Sequence, residues 1–185
     1  MIISDRTIQA SIVGIRHLEK IILILESVTE TTGRVLAPLT FVMMILTCAV
    51  VIARYAFNIG AIPIQESIVY LHGAVFMLGI AYTLKQSGHV RVDIIYQRCS
   101  ERTQTLIDLL GAFIFLLPVS LFILWTSLDF VLFSWSLKET SAEPGGLPFV
   151  YLLKTLIPVM AVSLLIQGLA EILKNLKKLL TGAPS

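Results

Sequence analysis

Apolar residues run along this chain in four long blocks, set apart by short polar stretches. The blocks cover residues 35–53, 67–84, 106–135 and 149–173. Each approaches or exceeds the ~20 apolar residues a helix needs to cross bilayer hydrocarbon, so the pattern predicts four transmembrane helices. Ahead of the first block, Ile8, Ile12, Ile15, Leu18, Ile22 and Leu25 recur at helical spacing, with Gln9, Arg16, Glu19, Lys20 and Glu26 between them. Such a pattern predicts an amphipathic helix in the membrane interface within an N-terminal segment, residues 1–34. Glu26 and Glu30 interrupt it too early for a span.

The polar stretches read as turns and interfacial elements. Between the first two blocks, Asn58-Ile59-Gly60 and Pro63 supply turn signals. The middle stretch, residues 85–105, carries Ile94, Ile95 and Tyr96 among Arg98, Glu101 and Arg102, which predicts a second interfacial element. The third block is longer than an upright span requires. Asp108 and Asp129 are placed towards its ends, tilt or extension past the bilayer accounts for its length, and Pro118 is a candidate kink. Residues 136–148 hold Lys138, Glu139, Glu143 and the breaker run Pro144-Gly145-Gly146 before the fourth block. The expected fold is an all-α membrane protein: a four-helix domain over residues 35–174, interfacial helices at the N-terminus and in the middle loop, and a tail over residues 175–185.

Basic residues orient this domain. An even number of spans puts both termini and the middle loop on one side, which then holds eleven of the fourteen Lys and Arg residues against three, Arg54, Lys138 and Lys154, on the other. Positive loops stay in the cytoplasm, so both termini and the middle loop are expected inside a bacterial inner membrane. Composition agrees with lipid as solvent: 56% of the 185 residues are hydrophobic and 14% charged. A net charge of +2 gives no reason to expect nucleic acid as a partner.

Candidate chemistry is sparse. Cys48 and Cys99 form no CxxC and lie near no histidine at metal spacing, so neither a disulfide framework nor a metal site is expected. No phosphate-binding glycine loop, paired carboxylates or nucleophile triad appears, and neither an enzyme nor a cofactor is expected. His72 is read as the ionisable residue lying well inside a span, a structural and hydrogen-bonded histidine. Arg54 and Glu66 bracket the connector between the first two spans. A hairpin would bring them to one depth, where they either lock each other or contact another subunit.

Three local patterns give the chain a family resemblance. The first block ends Ala53-Arg54-Tyr55-Ala56-Phe57-Asn58, with Glu66 opening the second. The second leads into Ser87-Gly88-His89-Val90-Arg91-Val92-Asp93. The fourth is preceded by Gly146-Leu147-Pro148 and contains Leu156-Ile157-Pro158-Val159. Together these resemble the small (Q-type, DctQ-like) membrane subunit of tripartite ATP-independent periplasmic (TRAP) transporters.

That resemblance implies a scaffold for a large membrane subunit in a secondary transporter, driven by an ion gradient, with sodium as the coupling ion and an organic acid as substrate. A periplasmic substrate-binding protein is the third component. Arg54, Glu66, His89, Arg91, Asp93, Trp125 and Trp135 are then candidate subunit-contact or structural residues. Lys138, Glu139 and Glu143 are candidates for contact with the binding protein. Two other readings stay open: a stand-alone four-helix transporter, which needs an embedded carboxylate, and a redox subunit, which needs paired embedded histidines or redox cysteines.

Overall fold

A computed structural model describes residues 2–88 and 96–181, with side chains from residue 16 onward. Among these residues there are helices and turns and no strand. The helices are α1 (Ile2–Phe57), α2 (Ile62–Lys85), α3 (Glu101–Gly111), α4 (Leu117–Leu137) and α5 (Val150–Thr181), with a π-helical turn, Ala112–Leu116, joining α3 to α4. Four stretches are long and apolar enough to cross a membrane: Arg16–Phe57, Ile62–Lys85, the continuous rod Glu101–Leu137, and Val150–Thr181. The four predicted spans are therefore present, each inside a longer helix.

The N-terminal segment differs from expectation. It is helical, but it is not a separate interfacial helix: α1 runs unbroken for 56 residues, about 84 Å at the helical rise. Glu26 and Glu30 do not end it because both turn towards the neighbouring helices, where Lys174 and Lys85 meet them. At the other terminus α5 continues to Thr181 and takes in residues assigned above to a tail. Most of the expected interfacial element in the middle loop, residues 89–95, lies outside the described residues.

Helix ends follow local chemistry. Asn58, at φ 54°, turns the chain after α1, and Pro63 opens the first turn of α2, where its missing N–H costs nothing. After α2, Ser87 adopts the left-handed conformation, so that Ser87 N–H reaches Leu84 O and Gly88 N–H reaches Thr83 O. Lys138 does the same after α4, with bonds to Trp135 O and from Glu139 N–H to Ser134 O. Both are Schellman-type stops built without glycine at the left-handed position. Ser100 caps α3 by accepting from Thr103 N–H. Pro118 lacks the N–H that an α-helix would direct back one turn, and the winding just ahead of it is π, with Leu117 N–H bonding Ala112 O.

Helix α5 is the hub. It packs against α1, α2, α3, the π turn and α4, whereas α1 otherwise packs on α2. Its span is 28% buried, against 6% for α1 and α2 and 11% for the α3–α4 rod, so the interior is concentrated along α5. Small residues make close approach possible. Ser120, Ser127 and Ser134, one every two turns of α4, are all buried, as are Ala161, Gly168 and Ala170 of α5. Where α1 crosses α2, the Tyr82 ring lies on Gly33, and a Cβ there would sit 2.3–2.8 Å from ring carbons.

That crossing yields a test. Gly33→Ala is expected to destabilise the subunit by about 1–3 kcal/mol through overpacking. The double variant Gly33→Ala/Tyr82→Ala should recover part of the loss, read as the thermal midpoint in detergent.

Candidate subunit-contact site

The loop joining α4 to α5 is fastened to the bundle by two acidic residues. Glu66, in the first turns of α2, accepts from the Ser141 hydroxyl with one oxygen and from Leu147 N–H with the other. The loop folds so closely here that a Cβ on Gly146 would lie 2.5–2.7 Å from Ser141 and the Glu66 carboxylate. Glu139 forms the second fastening: it accepts from Ser134 Oγ at 2.6 Å and pairs with Lys154 of α5. Lys154 also lies 4.2 Å over the Phe130 ring. The Lys154 ammonium, with the Ser134 hydroxyl second, holds the Glu139 carboxyl below its ordinary value of 4.5.

Trp135 joins the same seam. Its indole N–H donates to Thr155 Oγ1 at 2.8 Å, and its ring meets Tyr151 edge-on at 4.7 Å. Arg54 takes no part in these contacts. It is exposed at the end of α1, and among the described residues it forms no ion pair, so the expected Arg54–Glu66 lock is absent. The reason is geometric: the Glu66 carboxylate is already filled by the loop. Lys138 and Glu143 are exposed on the loop surface, while Glu139 is committed to Lys154. His89, Arg91 and Asp93 lie outside the described residues.

A second set of charges zips the opposite end of the bundle. Glu19 pairs with Lys177 at 2.6 Å, Glu26 with Lys174 at 3.0 Å, and Glu30 with Lys85 at 2.8 Å. Lys174 also reaches Glu171 at 3.4 Å, and Gln167, wholly buried, donates to that carboxylate at 2.9 Å. The antiparallel order of the α1–α5 pairs shows these two helices running side by side well beyond the end of α2.

Two polar residues inside the apolar runs stand on exposed faces, and one of them differs from expectation. His72 is exposed, stacked beside Phe76 at 6.2 Å, and is not a hydrogen-bonded interior histidine. Asp129 lies six residues, about 9 Å along the helix, before Trp135, and it too is exposed. Trp125, one turn away, is 80% exposed. Among the described residues no group of three His, Cys, Asp or Glu side chains is placed to hold a metal ion.

With this geometry in view, comparison with known proteins gives one family. The sequence model for the DctQ component of tripartite ATP-independent periplasmic transporters matches residues 43–178. No curated protein and no solved structure matches the chain.

The loop fastenings can be tested in two ways. Gly146→Ala should push Ser141 off Glu66 and raise the rate of proteolytic nicking within residues 138–149 several-fold. For Glu139 the folded-state pKa is lowered, so its clasp contributes above the ordinary value of 4.5 and is lost as pH falls through the lowered value. Fluorescence of Trp135 in a Trp125→Phe background should therefore stay constant at neutral and mildly acidic pH and change only below pH 4.5.

Proposed function

The chain belongs to the DctQ component family of TRAP transporters, and from that membership we propose that it is the fixed scaffold on which the large membrane subunit moves. It is a small membrane subunit of the transporter and not an enzyme. The observation that carries the scaffold role is the set of interhelical ion pairs Glu19–Lys177, Glu26–Lys174 and Glu30–Lys85. Partly exposed ion pairs add little stability, and their contribution here is to fix the geometry between helices. Here they lock two long helices and the end of a third into one strut. A stationary frame needs that stiffness, because a moving partner pushes against it.

In this reading the ion-paired end faces the cytoplasm, as the excess of basic residues there supports, and the loop end faces the periplasm. Glu66 and Glu139 then shape the outer loop from within. Lys138 and Glu143 present its exposed charges to the substrate-binding protein. Arg54, exposed at the end of α1, is assigned to the large subunit, and Trp135 to the seam that sets the loop's height. His89, Arg91 and Asp93 are assigned to shaping the cytoplasmic loop. Substrate and coupling ion, an organic acid and sodium, are held by the large subunit.

A stator need not change shape internally during transport, which gives the test. In a chain with Cys48→Ser and Cys99→Ser, Glu26→Cys and Lys174→Cys are bridged with a bis-maleimide. The assembled transporter is then followed in proteoliposomes under an imposed sodium gradient. Organic-acid uptake is expected to stay close to that of the unbridged double variant. Uptake abolished by the bridge alone would show that α1 and α5 move against each other and would sink the scaffold role.

A further inference from the structure

We propose that the outward face of α4 centred on Asp129 receives a transmembrane helix of the large membrane subunit, which supplies a basic or hydrogen-bond-donating side chain to the Asp129 carboxylate. The assignment rests on the scaffold reading and gives that reading a surface.

Helix geometry sets the direction of this face. The buried residues of α4, Ser120, Ser127, Val131 and Ser134, line the side packed on α5. At 100° per residue, Asp129 and Trp125 project from the opposite side, with Phe122 and Leu132 flanking them at 67% and 63% exposure. Helix length sets the depth: Asp129 lies eight residues, about 12 Å, inward of the end of α4 at Leu137, inside the apolar stretch long enough to cross a membrane.

At that level the lipid offers nothing to a carboxylate. Charged side chains in the hydrocarbon layer are costly and turn towards partners or water. Lys and Arg escape by snorkelling on long stems, but the Asp side chain has a single methylene. Lys154, which approaches Phe130, is already held by Glu139. Among the described residues Asp129 forms no ion pair, and the Trp125 indole N–H has no hydrogen-bond partner. A tryptophan normally sits at the membrane–water interface; twelve residues inside the end of α4 and beside an open carboxylate, it has the character of an interface anchor.

Charge selects the occupant. Two copies of this chain meeting through the face by a two-fold axis would bring the Asp129 stripe against itself, opposing like charges in a low dielectric. A helix with a complementary cation or donor fits the face, and the partner of this subunit that crosses the membrane is the large one.

The test compares partner recovery with the stability of the subunit alone. Tagged full-length chain is purified in mild detergent from membranes that also contain the large subunit. Wild type, Asp129→Asn, Asp129→Leu and Trp125→Ala are compared. Asp129→Leu is expected to lower recovery of the large subunit about tenfold, as loss of a buried charge partner does, while raising the thermal midpoint of the isolated subunit. Asp129→Asn should fall between. Wild-type recovery with Asp129→Leu undiminished would overturn the assignment and leave the scaffold reading standing. A wild-type chain that never brings the large subunit would overturn both. A homo-oligomer lost on Asp129→Leu would overturn it by giving the face to a second copy.

Discussion

Hydrocarbon supplies no hydrogen bonds, so every charge carried into or beside it has to be met by protein. The architecture of this subunit follows from how it meets that constraint. At one end, carboxylates of α1 turn inward and find lysines of α5 and α2. At the other, Glu66 and Glu139 are taken up by the α4–α5 loop and by Lys154. The hub position of α5 is the geometric result, because it brings Lys154, Glu171, Lys174 and Lys177 to both ends of the bundle. Between the ends the chain keeps its seams nearly free of charge and fills them with serine, alanine and glycine.

This explains which parts of the structure could be read from the sequence. The four spans were legible because length and apolarity alone decide whether a helix can cross a bilayer. The continuity of α1 was not, because Glu26 and Glu30 look like interruptions until their partners are known. The lysine that meets Glu19 is 158 positions away, and the backbone amide that meets Glu66 is 81 positions away. No local pattern encodes such pairs. Arg54 beside Glu66 is the converse case, a pairing that proximity in the hairpin suggests and that a more distant loop pre-empts. The stops after α2 and α4 were legible to within two residues, but their chemistry was not: Ser87 and Lys138 occupy left-handed positions where glycine is the usual signal.

Asp129 and His72 show what an apolar run leaves unread, the face of the helix on which a residue stands. Both lie in apolar runs, and a run gives no boundary finer than a few turns when helices outlast the bilayer. Their direction depends on which face of each helix the hub covers. The serine spacing of α4, one every seven residues, already marked the face that could approach another helix closely. Had that stripe been taken as the buried face, Asp129 would have fallen on the open one.

Association of helices in lipid gains little from apolar burial, since lipid tails are as apolar as leucine; packing and polar contacts hold a bundle together. By that standard this subunit is sparsely held. Helix α4 is anchored through one seam on α5, and α1 through its crossing at Tyr82 and the ion pairs. The rest of both helices is open, and polar groups stand on those open faces. A subunit so built has its rigidity along α5 and its unmet contacts on the outside. The same chain is stiff where it must resist a load and incomplete where another membrane protein is to be fitted. An autonomous transporter would need the reverse: ionisable groups gathered inside and a closed apolar exterior.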